Sequence, residues 1–116
     1  MIYLASPYSS PSDWKMQERF EETREVVVNA FNRGIIYMSP IMYWHEAAQK
    51  FDMPTNHIPY LKFNMQLLRA CKEIHLLTLD GWKTSEGMKQ EFKAAQSIHL
   101  PYTYLTPAGQ PTLILE

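Results

Sequence analysis

The chain has 116 residues, of which 46% are apolar and 20% charged, with a formal net charge of −1. That length suits one domain, residues 1–116, with one core, and the near-neutral charge gives no footprint for a nucleic-acid polymer or an anionic membrane. The single Cys71 excludes an internal disulfide and a multi-cysteine metal site. No run of about 18 apolar residues is present, and the opening Met1-Ile2-Tyr3-Leu4-Ala5 is too short for a signal peptide, so the expectation is a cytoplasmic protein.

The first predicted strand is Ile2 to Ala5, followed by a loop, Ser6-Pro7-Tyr8-Ser9-Ser10-Pro11. Ser10 can cap a helix, Pro11 suits its first position and Asp13 favours the positive end of its dipole. The helix runs to about Asn32, with Met16, Phe20, Thr23, Val27 and Phe31 as its buried stripe. Gly34 stops it, and Ile35 to Met38 reads as a second strand. Ser39 to Pro59 is irregular, with a short helix over Tyr43 to Lys50; a long segment of this kind usually carries function. A helix over Tyr60 to Ala70 turns Leu61, Met65 and Leu68 inward. Glu73 to Leu79 is an apolar, central strand, broken by Asp80-Gly81. A helix over Ser85 to Ile98, a strand over Pro101 to Leu105 and a short strand or extended tail at Thr112 to Leu115 complete the chain. Strands alternating with helices predict an α/β fold with a parallel sheet of four or five strands covered on both faces. Loops 6–10, 39–44 and 80–87 should then meet at the carboxyl edge of the sheet.

Glu91 stands out within that frame. Met88, Glu91, Phe92 and Ala95 share one helical face, which places a carboxylate towards the core. The alternative is a position at the stripe's edge, paired with Lys89 or Lys93. One turn earlier, Ser85-Glu86-Gly87 offers a hydroxyl and free N–H groups at a helix start, which suit an anion or sugar hydroxyl or serve simply as a cap. Asp80-Gly81 reads equally as a plain turn. His75 and His99 read as structural, and the four histidines have no metal-site spacing, so neither a metal nor a cofactor is expected.

Ile2-Tyr3-Leu4-Ala5-Ser6-Pro7-Tyr8, Met38-Ser39-Pro40-Ile41, and Leu79-Asp80-Gly81-Trp82 followed by Ser85-x-Gly87-x-x-x-Glu91 together resemble the nucleoside 2-deoxyribosyltransferase-like superfamily. The resemblance covers residues 2 to 105 and is nearest to a small bacterial and phage branch with an Asp-Gly-Trp motif. It implies a flavodoxin-like three-layer sandwich and a small-molecule nucleoside or nucleotide as substrate. Glu91 would be the nucleophile at the anomeric carbon, with Tyr8 near the sugar. Asn64 stands where the superfamily carries an Asp that holds and protonates the base; an amide can hydrogen-bond a base edge but cannot supply an acidic proton. Asp80, His45 and His57 are the other groups that could. Substrate-binding candidates are Ser6, Pro7, Ser9, Ser39, Asp80, Gly81, Trp82, Ser85 and Gly87. Trp82, and less readily Tyr43 and Trp44, could stack a base. These loops hold no Arg, which disfavours tight phosphate recognition. The resemblance also implies a homo-oligomer in which the tail Leu113-Ile114-Leu115 completes a neighbour's pocket. The competing reading is a protein of the same fold that binds a nucleotide or nucleotide signal without turnover; a purely structural role is a third.

Overall fold

The computed structural model describes residues 1–114. In chain order the elements are β1 (Ile2–Ala5), α1 (Asp13–Asn32), β2 (Tyr37–Met38), α2 (Pro40–Lys50), α3 (Leu61–Arg69), β3 (Glu73–Leu77), α4 (Glu86–Ser97), β4 (Tyr102–Leu105) and β5 (Pro111–Thr112). Short 3-10 turns at Ile58–Tyr60 and Trp82–Thr84 lead towards α3 and α4. The sheet order is β2-β1-β3-β4-β5. The first four strands are parallel and β5 returns antiparallel to β4, so the architecture is the expected flavodoxin-like α/β sandwich with one reversed edge. The last predicted strand shrinks to Pro111–Thr112, and Leu115 lies outside the described residues.

Both faces of the central strands are buried, because neighbouring residues on β1 and β3 are apolar in both directions. Leu4 and Leu77 pack with Val26 and Ala30 of α1, with Tyr37 and with Leu105. Tyr3, Ala5, Ile74 and Leu76 pack on the other side with Leu68 of α3 and with Met88 and Ala95 of α4. The helix α2 lies beside α1, its His45 ring stacked on Phe20 at 4.3 Å.

Three local expectations change. The helix α1 begins at Asp13 after Ser12; Ser10 instead accepts a hydrogen bond from the Ser12 amide, so the Ser-Ser-Pro-Ser stretch closes as a turn before the helix. Its buried stripe is Met16, Phe20, Thr23, Val26 and Ala30, while Phe31 is exposed. The rotation comes from the small Ala30, which packs closely against the sheet where a Phe would not fit. The second helix starts at Pro40, earlier than expected, because Pro sets φ for a first helical turn and needs no N–H partner there.

The chain reverses after β3 through Gly81, at φ +88°, where an added Cβ would lie 2.5 Å from Arg19 Nη2. Gly81→Ala should therefore cost about 1–3 kcal/mol through left-handed strain and displacement of Arg19. Urea denaturation of the variant reads that loss as a lower midpoint at unchanged slope; an unaltered midpoint refutes the account.

Candidate functional site

The strand order reverses between β1 and β3: β1 leads out to β2 on one side, β3 to β4 on the other. Crossover helices leave the sheet in opposite directions at such a point and open a crevice beyond the strand ends. A cavity of about 370 Å³ lies at this edge. Its wall includes Ser6, Tyr8 and Ser9 after β1, Pro40, Ile41, Trp44 and His45 of α2, and Asn64 of α3. Thr84, Ser85, Glu86, Gly87 and Glu91 close it at the start of α4, and Thr55, Asn56, His57 and Tyr60 cover it from the 51–60 segment. The three loops expected to converge do so, and the segment without periodicity supplies a fourth side.

Glu91 lines the cavity, and the buried Tyr3 hydroxyl, which is not on the wall, donates to Glu91 Oε2 from behind. Tyr3 is fully buried, and burial followed by the neighbouring carboxylate raises its pKa, so it stays a donor. Burial pushes the Glu91 carboxyl up to about 8, opposed in part by the hydrogen bond from Tyr3. The edge-of-stripe alternative does not hold: Lys89 pairs with Glu86 at 3.3 Å, and among the described residues no ion pair reaches Glu91.

A second constellation forms across the cavity. Tyr8 Oη lies 2.7 Å from His45 Nδ1, and His45 Nε2 lies 2.7 Å from Gln17 Oε1. A Gln carbonyl oxygen only accepts, so Nε2 carries the proton and Nδ1 accepts from Tyr8. Burial lowers the His45 pKa, which favours this neutral form. Tyr8 is raised, chiefly by burial, while a hydrogen bond from Gln49 acts the other way.

Asn64 is buried on the wall, and its Oδ1 has no partner within the described chain. Trp44 Nε1 is in the same condition, as is Ser39 Oγ at the start of α2. Ser85 caps α4 by accepting from the Met88 amide at 3.2 Å, which leaves its own O–H free to donate into the cavity. Ser9 is tied down by a 2.6 Å bond to the Thr55 carbonyl. Gly87 lies close under His57, where a Cβ would come within 3.4 Å of its Cβ.

Pro7, Ser39, Asp80, Gly81 and Trp82 are not on the cavity wall. Pro7 is fully buried beneath the first loop. Asp80 is exposed and faces Lys15 at 3.7 Å, in the turn that Gly81 makes at φ +88°. Trp82 packs on Tyr104 at 5.7 Å, drawn to the aromatic face of β4, and Trp44 takes the cavity position instead. Tyr43 is exposed.

Tyr3, Gln17 and Arg19 are the functional neighbours that sequence reasoning passed over. Tyr3 had a signal, since a phenol in a strand buried on both faces must find a hydrogen-bond partner. Arg19 had none: from α1 it donates to the Tyr8 and Ser9 carbonyls at 3.2 and 2.9 Å and to the Asp80 carbonyl at 3.2 Å, clipping two loops together.

The family model described as a domain of unknown function (DUF1937) matches residues 1–104, which take in every element that builds this cavity. The chain belongs to the DUF1937 family. No curated protein matches it. The family match thus carries no activity to this chain, and the chemistry has to be argued from the cavity itself.

The Glu91 shift has a stability consequence. Between its usual 4.5 and about 8 the native state keeps a proton that the unfolded chain has released, so the contribution of Glu91 to stability is fully present below pH 4.5 and is lost as pH rises through that window. The loss proceeds at up to about 1.4 kcal/mol per pH unit. Glu91→Gln removes it, so the variant should gain on the parent progressively from pH 5 to pH 9 in urea denaturation. A difference that stays constant with pH would mean that Glu91 ionises as a solvated acid.

Proposed function

We propose that the cavity cleaves or transfers at the N-glycosidic bond of a nucleoside or nucleoside 5′-monophosphate, with Glu91 as nucleophile. The observation that carries the reading is that Glu91, on the wall of a cavity at the sheet's switch point, is aimed by a buried phenol and, among the described residues, has no cation partner. A structural acid in such a place would be expected to have an ion-pair partner. The motif set around Ser6, Asp80 and Ser85 that resembles the nucleoside 2-deoxyribosyltransferase-like superfamily supports the same reading.

In this mechanism Glu91 Oε attacks the anomeric carbon as the bond to the base nitrogen breaks, and the electron pair leaves with the base. Positive charge building on the sugar favours the ionised carboxylate, offsetting the burial that keeps it protonated in the empty cavity. The Tyr3 hydroxyl holds the attacking group in one orientation. Ser85 can hydrogen-bond a sugar hydroxyl, Trp44 offers an indole face or N–H, and the Asn64 amide can bond a base edge. In the second half a water or a second base takes the sugar and Glu91 is released. The Tyr8–His45–Gln17 chain suits the proton of an incoming water: it passes to Tyr8 Oη as the Tyr8 proton passes to His45 Nδ1. Asn64, which cannot give an acidic proton, favours the second reading, a nucleotide-binding protein without turnover.

Incubation with a panel of nucleosides and 5′-monophosphates should release free base, with kcat/KM rising as pH approaches about 8 and Glu91 ionises. Glu91→Gln should abolish release. Tyr3→Phe removes a bond that holds the carboxyl pKa down, so it should move the midpoint of that profile to higher pH. Saturable binding of these compounds without release of base from any of them would decide for the binding protein.

A further inference from the structure

The charge on the cavity wall bears on which of these substrates fits. Among the described residues that line it, none is Lys or Arg; burial keeps Glu91 protonated, and Glu86, at the rim, is exposed and paired with Lys89 at 3.3 Å. The nearest guanidinium, Arg19, has Nη1 and Nη2 engaged by the carbonyls of Tyr8, Ser9 and Asp80, and its Nε is buried. Lys15, beside the same loops, bonds Glu18 at 2.9 Å and faces Asp80. Lys89 is held by Glu86 on the solvent side of α4 and is not on the wall. The remaining nitrogen bases of the wall are His45, kept neutral by burial and by its two hydrogen bonds, and His57.

The groups that can hydrogen-bond a ligand are of the opposite character. Ser85, Asn64, Trp44, Tyr8, Thr55 and Tyr60 are neutral donors and acceptors, suited to hydroxyls and base edges. The N–H groups at the start of α4 would attract an anion, but the Ser85 cap takes the Met88 amide, and the acidic Glu86, paired with Lys89, occupies the same first turn. A 5′-phosphate carries nearly two negative charges at neutral pH and needs charge-assisted partners to leave water.

We infer that the site selects uncharged nucleosides and rejects their 5′-monophosphates, because its wall offers a phosphate no cation. The inference rests on the nucleoside reading above and narrows its substrate class.

The test compares each nucleoside with its 5′-monophosphate in two measurements on the full chain: kcat/KM for base release, and Kd by calorimetry with the Glu91→Gln protein. The nucleoside should be favoured by at least about tenfold in either measurement, and the gap should narrow as salt screens the wall. Glu86→Lys, which puts a cation at the rim, should raise the monophosphate value and close or reverse the gap. Equal or better use or binding of monophosphates by the parent protein overturns the inference and leaves the glycosidic reading standing. Nucleoside binding with the stated preference but no base release upholds the inference and overturns the catalytic reading. Absence of binding and release for both compounds overturns both. A preference that is insensitive to salt and to Glu86→Lys assigns the discrimination to shape and overturns the charge account.

Discussion

Much of this molecule follows from where one phenol sits. Tyr3 is on the strand between β2 and β3, fully buried, with its ring in the layer that packs on α3 and α4. An apolar residue there would complete the core equally well. Tyr completes it and leaves a hydroxyl that has to be satisfied inside the protein, and the partner is a carboxylate on the next layer. The contact couples the sheet to α4 through groups that the hydrophobic effect alone would not place together. It explains how a lone acid is tolerated on a helix face that otherwise reads Met88, Phe92 and Ala95.

Helix α4 is accordingly pinned at two points of different kind. Its start is fixed by the Ser85 cap, and its second turn by Tyr3. Between them the helix presents a short stretch, Glu86 to Glu91, to the cavity with little freedom to rotate. Across the cavity, Phe20 and Gln17 of α1 hold His45 by its face and by one nitrogen, which leaves the other nitrogen to orient Tyr8. Glu91 and His45 are therefore held by residues off the cavity wall, Tyr3 on one side and Gln17 and Phe20 on the other, and His45 in turn orients Tyr8. Arrangements of this sort keep side chains within the small tolerances that chemistry requires.

The fold was legible in the sequence because hydrophobic runs at Ile2–Ala5 and Ile74–Leu79, separated by helical spacings, leave few alternatives to a parallel sheet. Helix boundaries were less so: the shift from Pro11 to Asp13 and the stripe through Val26 and Ala30 depend on how closely α1 approaches the sheet, which is a tertiary matter. Glu91, Ser85 and Tyr8 were legible as chemistry-bearing residues because polar groups at a strand end or on an apolar helix face are conspicuous. That Trp44 lines the cavity while Trp82 packs on Tyr104 was not legible, because an indole is equally at home in an aromatic core and on a cavity wall. Arg19 and Gln17 look in sequence like members of a solvated helix face, since nothing local tells that the loops fold back over them.

The Arg19 clip has a further implication for how such a site can change. All three of its acceptors are main-chain carbonyls, so it recognises the path of the loops and is indifferent to the side chains they carry. The path of these loops at positions 8, 9 and 80 is thereby held through the main chain, by the guanidinium and by the missing Cβ of Gly81, whatever further contacts the side chains there make. Mutation can sample new ligand contacts on those loops without first unmaking the frame that presents them. In that sense the clip separates the inheritance of a fold from the diversification of what it binds.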